Sequence, residues 1–486
     1  MASTSTHSRI RTTCIGLTFS CAMLLALAAN FMWAEGHDQQ RCIELVVLGL
    51  ALVYALGTGA VPGAIQAMSL APRMLCMGFL LLGAAASVNV VSPNHAWAEW
   101  SMFVLLGLSA LVVAAEIAAR GTPGLNSLLR VLGVVCLLYS LRVLLAYSAG
   151  MAAQVQLGMH AFAPGFSNAR FLNHTQTAML PLLILLSRQP APVRASWLGK
   201  VYFMVAAFWW ALVFVTEGRA TALALIVAGI VALALRRRAA KGWLLAMAAT
   251  AAAGLVLYLI LFIALPWALG MDPLGAPDNI IARSAADPAS GRQFLWKRAL
   301  ELIVQHPLLG VGPQHFAHYG EIVYIGAHPH DWLFQIAVEW GIPALICLVA
   351  ILLLGAHTLV RAAASIAPAD RSQQDIATAL IVAIAAIVVD GLFSGVLVMP
   401  QSQMAIALVV GMAMGWVRTL PPAAVPAVTL ATRSTGIVLG LLAIVLATAF
   451  IAPDAQRKWQ GAPLDAQEAA HNNRGLWPRL WGAGYF

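Results

Sequence analysis

Residues 434–452 read Ser434-Thr-Gly-Ile-Val-Leu-Gly-Leu-Leu-Ala-Ile-Val-Leu-Ala-Thr-Ala-Phe-Ile-Ala452, a run without a single ionisable side chain. The hydrocarbon core of a bilayer is about 30 Å thick, and a helix crosses it with about 20 such residues. Working outward from this run, the same pattern recurs near 14–33, 43–60, 73–91, 99–118, 128–148, 173–187, 197–216, 220–235, 242–266, 332–356, 373–398 and 403–418. The runs at 173–187 and 403–418 are short, so twelve or thirteen spans are expected, one of them re-entrant in the smaller count. Ala26-Leu27-Ala28 in the first run resembles a signal-peptidase site, but the many spans that follow favour an uncleaved first helix.

Composition agrees with this reading. Of 486 residues, 61% are hydrophobic and 10% charged, and mean hydropathy is +0.83. Too few charged side chains remain to solvate the surface of a soluble globule, and disorder, collagen and coiled coil fall with it. The net charge of +9 would suggest nucleic acid in a soluble protein, but here it is a topology signal, and no nucleic-acid partner is expected. Six cysteines are scattered through or beside apolar runs, without a CxxC pair, and read as small hydrophobes.

Lysine and arginine set the direction. With the amino terminus in the cytoplasm, the sites between Arg9 and Arg433 give sixteen basic residues inside and seven outside: Arg41, Arg170, Arg219, Arg283, Arg292, Lys297 and Arg298. The tail after 452 is ambiguous, because thirteen spans place it outside while Arg457 and Lys458 argue inside. The expected fold is an all-α polytopic membrane protein with one long, partly helical outer loop. Its parts are helices over 1–266, the loop over 267–330, helices over 331–452 and a soluble tail over 453–486. In the loop, Ser290-Gly291-Arg292-Gln293 fits a capping box, and Phe294, Leu295, Ala299, Leu300, Ile303 and Val304 recur at helical spacing until His306-Pro307. An amphipathic helix on the outer membrane surface follows, with membrane lipid as its partner. No internal repeat is visible, which weakens an inverted-repeat transporter.

The residues fit for chemistry are few. Five of twelve histidines, His306, His315, His318, His328 and His330, fall at the end of the loop, flanked by Gly and Pro. Metal ligands on one helix face want i, i+3 or i+4 spacing, so hydrogen bonding at the interface is the plainer reading for the first three. His328-Pro329-His330-Asp331 runs into the next apolar segment, which sets His330 at a helix amino terminus with Asp331 as a cap. The amides there favour an anion such as phosphate, and a neutral imidazole beside it accepts a proton from an attacking hydroxyl. A capping segment with an interfacial His is the alternative.

Among outward arginines, Arg219 lies in the turn Thr216-Glu217-Gly218-Arg219, Arg292 begins the loop helix, and Arg170 sits in Asn168-Ala169-Arg170-Phe171-Leu172-Asn173-His174. Each alone is also what a snorkelling anchor looks like, while several converging would clamp a diphosphate through paired hydrogen bonds. Arg142, Glu339 and Asp390 lie within apolar runs, where a charge needs a partner or a cavity. For Glu339 the default is pairing with an arginine, and Asp390 is placed nearer the outer face. No DxD and no GxxxxGK[ST] occur, and Trp209-Trp210 is not followed by Asp-Tyr-Gly. Nucleotide-driven and divalent-metal mechanisms thus lose their usual residues, and no cofactor or metal is expected.

Together these residues resemble the O-antigen ligase family, with its related O-antigen polymerases and bacterial O-oligosaccharyltransferases. The family signature is a His followed by Asn, Ser or Gln, nine residues, then Gly; His330-Asp331 and Gly341 match in register, with Asp331 as the departure. An outer-turn Arg-x-x-x-Leu matches Arg219 to Leu223, and a third element runs from Ser290 through Trp296 and on to His306–Pro313. The resemblance covers about 165 to 415 and includes the segment from Asp390 to Gly411. It implies glycosyl transfer at the periplasmic face of the bacterial inner membrane, from a glycan on undecaprenyl diphosphate to a sugar hydroxyl of lipid A-core. In that scheme His330 is the base, Arg219 and Arg292 hold the diphosphate, and Arg170, His328, Asp331 and Asp390 contribute to binding, with Asp331 orienting His330 or raising its pKa. A polymerase, or a ligase acting on protein, would use the same residues with another acceptor. A transporter or flippase is the reading from outside the enzymes.

Overall fold

The computed structural model describes residues 36–58, 60–188, 197–274, 291–320, 326–420, 430–460 and 479–481. The 14–33 run, Ser290 of the capping box and Arg283 lie outside the described residues.

The apolar runs become helices, named here in chain order. They are α1 (Gly36–Thr58), α2 (Ala60–Gln66), α3 (Leu70–Ala86), α4 (Pro93–Arg120), α5 (Thr122–Ala152), α6 (Ala169–Ser187), α7 (Trp197–Val215), α8 (Arg219–Arg236) and α9 (Arg238–Ala268). After α9 come α10 (Arg292–Gln305), α11 (Phe316–Gly320), α12 (Trp332–Trp340), α13 (Ile342–Ala364), α14 (Arg371–Asp390), α15 (Pro400–Val417), α16 (Leu430–Phe450) and α17 (Ala452–Trp459). Among the described residues, 8 helices are long and apolar enough to cross a membrane. This is an all-helical, polytopic membrane protein.

Burial separates the helices into two layers. Most of α4, α7 and α14 is covered by protein, whereas α9, α13 and α16 leave most of their apolar side chains uncovered, as helices facing lipid tails do. The short run at 173–187 belongs to α6, which starts earlier, at Ala169, and is buried along nearly its whole length. Its first turns carry Asn173, His174, Thr175, Gln176 and Thr177, and enclosure by α7, α8 and α14 supplies these polar groups with partners that lipid lacks.

One span reads differently from expectation. The run at 332–356 is two helices, α12 and α13, parted at Gly341. Gly341 has φ +87, where side chains are rarely tolerated, and a Cβ on it would lie 2.1 Å from the Leu308 carbonyl oxygen. The Pro307–Gly312 segment lies against this break. Ile342 N–H donates to Pro307 O at 2.9 Å, Val311 N–H to Val338 O at 2.7 Å and Gly312 N–H to Glu339 O at 3.0 Å. Carbonyls left over at the end of α12 thereby find donors. The motif at 306–313 is thus a brace for the helix break, and Gly310, at φ +66, lets its backbone approach α12.

The loop helix forms as expected, with a different cap: Gly291, at φ +71, precedes Arg292 in the left-handed region and makes no side-chain cap bond. Leu295, Ala299 and Leu302 of α10 pack with Val311, Phe316 and Val338, so one face of the helix is fixed to α12. The opposite stripe of α10, Leu300 and Val304, is exposed.

In the tail expected to be soluble, residues 453–457 and 460 are exposed or half-buried, whereas 479–481 are buried. Arg479 is 4% exposed, Leu480 5% and Trp481 0%. Arg479 Nη1 and Nη2 bond both Glu339 oxygens, at 2.7 and 2.9 Å, and Nη2 also reaches Glu99 Oε2 at 2.6 Å. Glu339 therefore has the arginine partner its burial demands, supplied from 140 residues away in the chain.

Candidate functional site

The site lies at the end of the bundle where α6, α8, α12 and α15 begin and α14 ends. Asp331 caps α12, its Oδ1 accepting from Leu333 N–H at 2.8 Å and Phe334 N–H at 3.1 Å. These bonds favour the carboxylate, but burial outweighs them and pushes its pKa up. At the other end of the helix stands Gly341, so the nine residues between Asp331 and Gly341 are α12 itself. The spacing of the motif is the length of one short helix, about 13 Å at 1.5 Å per residue. Asn and Ser cap helices as Asp does, so Asp331 preserves that function despite its charge.

His330, just ahead of the cap, is held with φ +55, in the left-handed region where non-glycine residues are uncommon. Its amide donates to His328 Nδ1 at 3.2 Å, which requires the lone pair of that ring on Nδ1. The two rings lie 4.0 Å apart between centroids. His328 is buried against Gly395 in the turn after α14, where an added Cβ would come within 2.7 Å of its ring. Trp296 of α10 donates to Pro329 O at 3.1 Å. Trp332 donates from its backbone to Gly391 O at 3.0 Å and from its indole to Val388 O at 3.2 Å. Strained backbone of this kind persists only where the surroundings over-determine it, and they do so here from both sides.

Positive charge surrounds His330. Burial first, then Arg292, His174 and Arg170, push its pKa down to about 3. This corrects the expectation that Asp331 raises it: the Asp331 carboxylate is turned onto α12 amides, and the charged groups that act on the ring are Arg292, His174 and Arg170. His328 is held well below its ordinary value too, by burial first and then by His330 and more distant cations. Both imidazoles are therefore neutral at physiological pH, His328 as a buried support.

Arg170 and Arg292 both act on His330 electrostatically. Arg170 lies in the first turn of α6, whose cap Asn168 accepts the Arg170 amide at 2.9 Å. Arg219 begins α8 at the same end, after a turn in which Glu217 has φ +53. That turn is tied to α6 by Asn173 Nδ2, which donates to Thr216 Oγ1 at 2.8 Å. Asp390, at the last residue of α14, is fully buried: Thr177 Oγ1 donates to its Oδ2 at 3.0 Å, and His174 Nδ1 stands 3.6 Å from the same oxygen. Asp390 is thus enclosed behind Thr177 and His174. Thr221 of α8 joins this network, 2.9 Å from Thr177 Oγ1 and donating to Asn173 O at 3.0 Å.

Sequence reasoning singled out Arg170 but missed His174 four residues on. The available signal was the unbroken polar run Asn173–Thr177 inside a candidate span, which lipid does not tolerate.

Comparison with known families bears directly on this geometry. Residues 202–349 match the O-antigen ligase family. The match covers about a third of the chain and contains Arg219, Arg292, the brace at 306–313, His330 and Gly341, while Arg170, His174 and Asp390 lie outside it. The O-antigen ligase match carries with it glycosyl transfer of the ligase or polymerase kind from lipid-linked glycans. No curated protein matches the chain.

Proposed function

We propose that the protein is an O-antigen ligase, transferring O-antigen polysaccharide from undecaprenyl diphosphate to lipid A-core at the periplasmic face of the bacterial inner membrane. The observation that supports this best is a neutral imidazole, His330, set among Arg292, Arg170 and His174 at a helix amino terminus. A diphosphate is already a good leaving group, so the protein supplies cations for the developing charge and a base for the acceptor hydroxyl. Arg219 and Arg292 hold the diphosphate, with Arg170 beside them. His330 takes the acceptor proton as the hydroxyl oxygen bonds to the anomeric carbon and the bond to the diphosphate oxygen breaks, with inversion and without a metal ion. Asp331 keeps α12 formed, His328 supports the His330 backbone, and Asp390 holds His174.

The same cations that keep His330 neutral also depress its basicity. Diphosphate bound between them offsets their charge and raises its pKa, so the base gains strength when the donor arrives. On this reading, the end carrying Arg236, Arg237, Arg238 and Lys241 faces the cytoplasm.

The acceptor is tested with purified protein in detergent, in excess EDTA, given one lipid-linked glycan and a choice of lipid A-core, a second lipid-linked glycan or a serine-containing peptide. Glycan on lipid A-core is expected. Product on the second glycan or the peptide would make it a polymerase or a protein glycosyltransferase, and no product with any acceptor would favour transport.

A further inference from the structure

Two buried ionic clusters meet at residues 479–481. In the first, the Arg479 guanidinium binds Glu339 of α12 and Glu99 of α4, and Glu339 Oε1 also accepts from Phe316 N–H at 3.3 Å. In the second, Arg41 of α1 donates from Nε to Leu480 O at 3.0 Å, from Nη2 to Val398 O at 2.7 Å, and from Nη1 to Glu44 and Gln403 at 2.5 Å each. Val398 ends the turn whose Gly395 packs on His328. Apolar contact joins the two: Leu480 and Trp481 share a core with Ile336 and Trp340 of α12. Residues 479–481 thus touch the helix that follows His330 directly and reach the turn behind His328 through Arg41.

The brace at 306–313 and α10 hold α12 from within the matched 202–349 region, and residues 479–481 add a tie from outside it. We propose that residues 479–481 are a latch that fixes α12, and with it His330, and that Arg479 is its positioning residue. Arg479 does so by pulling Glu339 toward Glu99, two carboxylates that repel one another without it. The catalytic part of the proposal rests on His330 being the base; the mechanical part does not.

Two readouts test it on the full-length protein. Hydrogen exchange compares amides 333–341 with those of α6 and α14 in wild type and Arg479→Ala. Faster exchange by about tenfold or more confined to 333–341 is expected. Unchanged exchange there, or equal acceleration in all three helices, overturns the latch. In transfer assays, kcat is expected to fall by about tenfold or more with donor KM within about threefold. An unchanged kcat despite local loosening overturns the positioning of His330, whereas failure of His330 as base would appear in the His330 variant and leave the exchange result standing. Where Arg479→Ala fails to accumulate, Arg479→Lys, which keeps the charge but not the forked contact with both carboxylates, is expected to give the same two changes at smaller size. Wild-type values in Arg479→Lys for both would overturn the proposal.

Discussion

His330→Ala is expected to slow glycan transfer by about 10²- to 10⁴-fold, the usual contribution of a positioned general base, with donor KM little changed. The substitution removes the proton acceptor and leaves the cations in place. Its structural cost is small by comparison. Alanine keeps a Cβ at the same left-handed φ, Asp331 still caps α12, and the His330 amide still reaches His328 Nδ1. A fall in kcat and kcat/KM together would mark an interaction made in the transition state. Transfer within a few-fold of wild type would remove His330 from the chemistry and reduce it to an element of the cap.

Arg292→Ala is expected to lower kcat/KM by about 10²- to 10³-fold, the scale on which single preorganised donors to developing charge act. Arginine binds phosphate oxygens through a planar fork, so Arg292→Lys should recover little of the loss. A second consequence separates this arginine from a membrane anchor. Arg292 is the strongest charged influence depressing His330, after burial. Its removal should therefore shift the acid limb of kcat/KM to higher pH, because the free enzyme's imidazole becomes easier to protonate. An anchor at the membrane surface would change neither quantity.

The spans were legible because lipid demands long apolar runs, and α4, α5, α7 and α8 lie close to where those runs suggest. The break at Gly341 was not legible, since Trp332 to Ala364 is one apolar stretch. What parts it is the backbone of residues 307–312, brought against it by the folded loop. The proposed group of His330, Arg292 and Arg170 was singled out by scarcity, because few cations are expected on the outer side of such a chain. Its supports were not. Arg479 reaches Glu339 across 140 residues, and no local pattern encodes that meeting. The spacing in the His330 motif was visible as a number, but its physical meaning, a nine-residue helix with Asp331 at one end and a positive-φ glycine at the other, emerges only in three dimensions.

The central claim is that His330 is a base held neutral by cations and strengthened by the donor diphosphate. The most direct test is the pH dependence of transfer by wild type and His330→Ala, from about pH 4 to 8. For wild type, kcat/KM reports the free enzyme and should show no acid limb in this range, since His330 is pushed down to about 3 there. The acid limb of kcat, which reports the donor complex, should lie at higher pH, and the residual activity of His330→Ala should lack it. A wild-type acid limb of kcat that survives in His330→Ala would contradict the account.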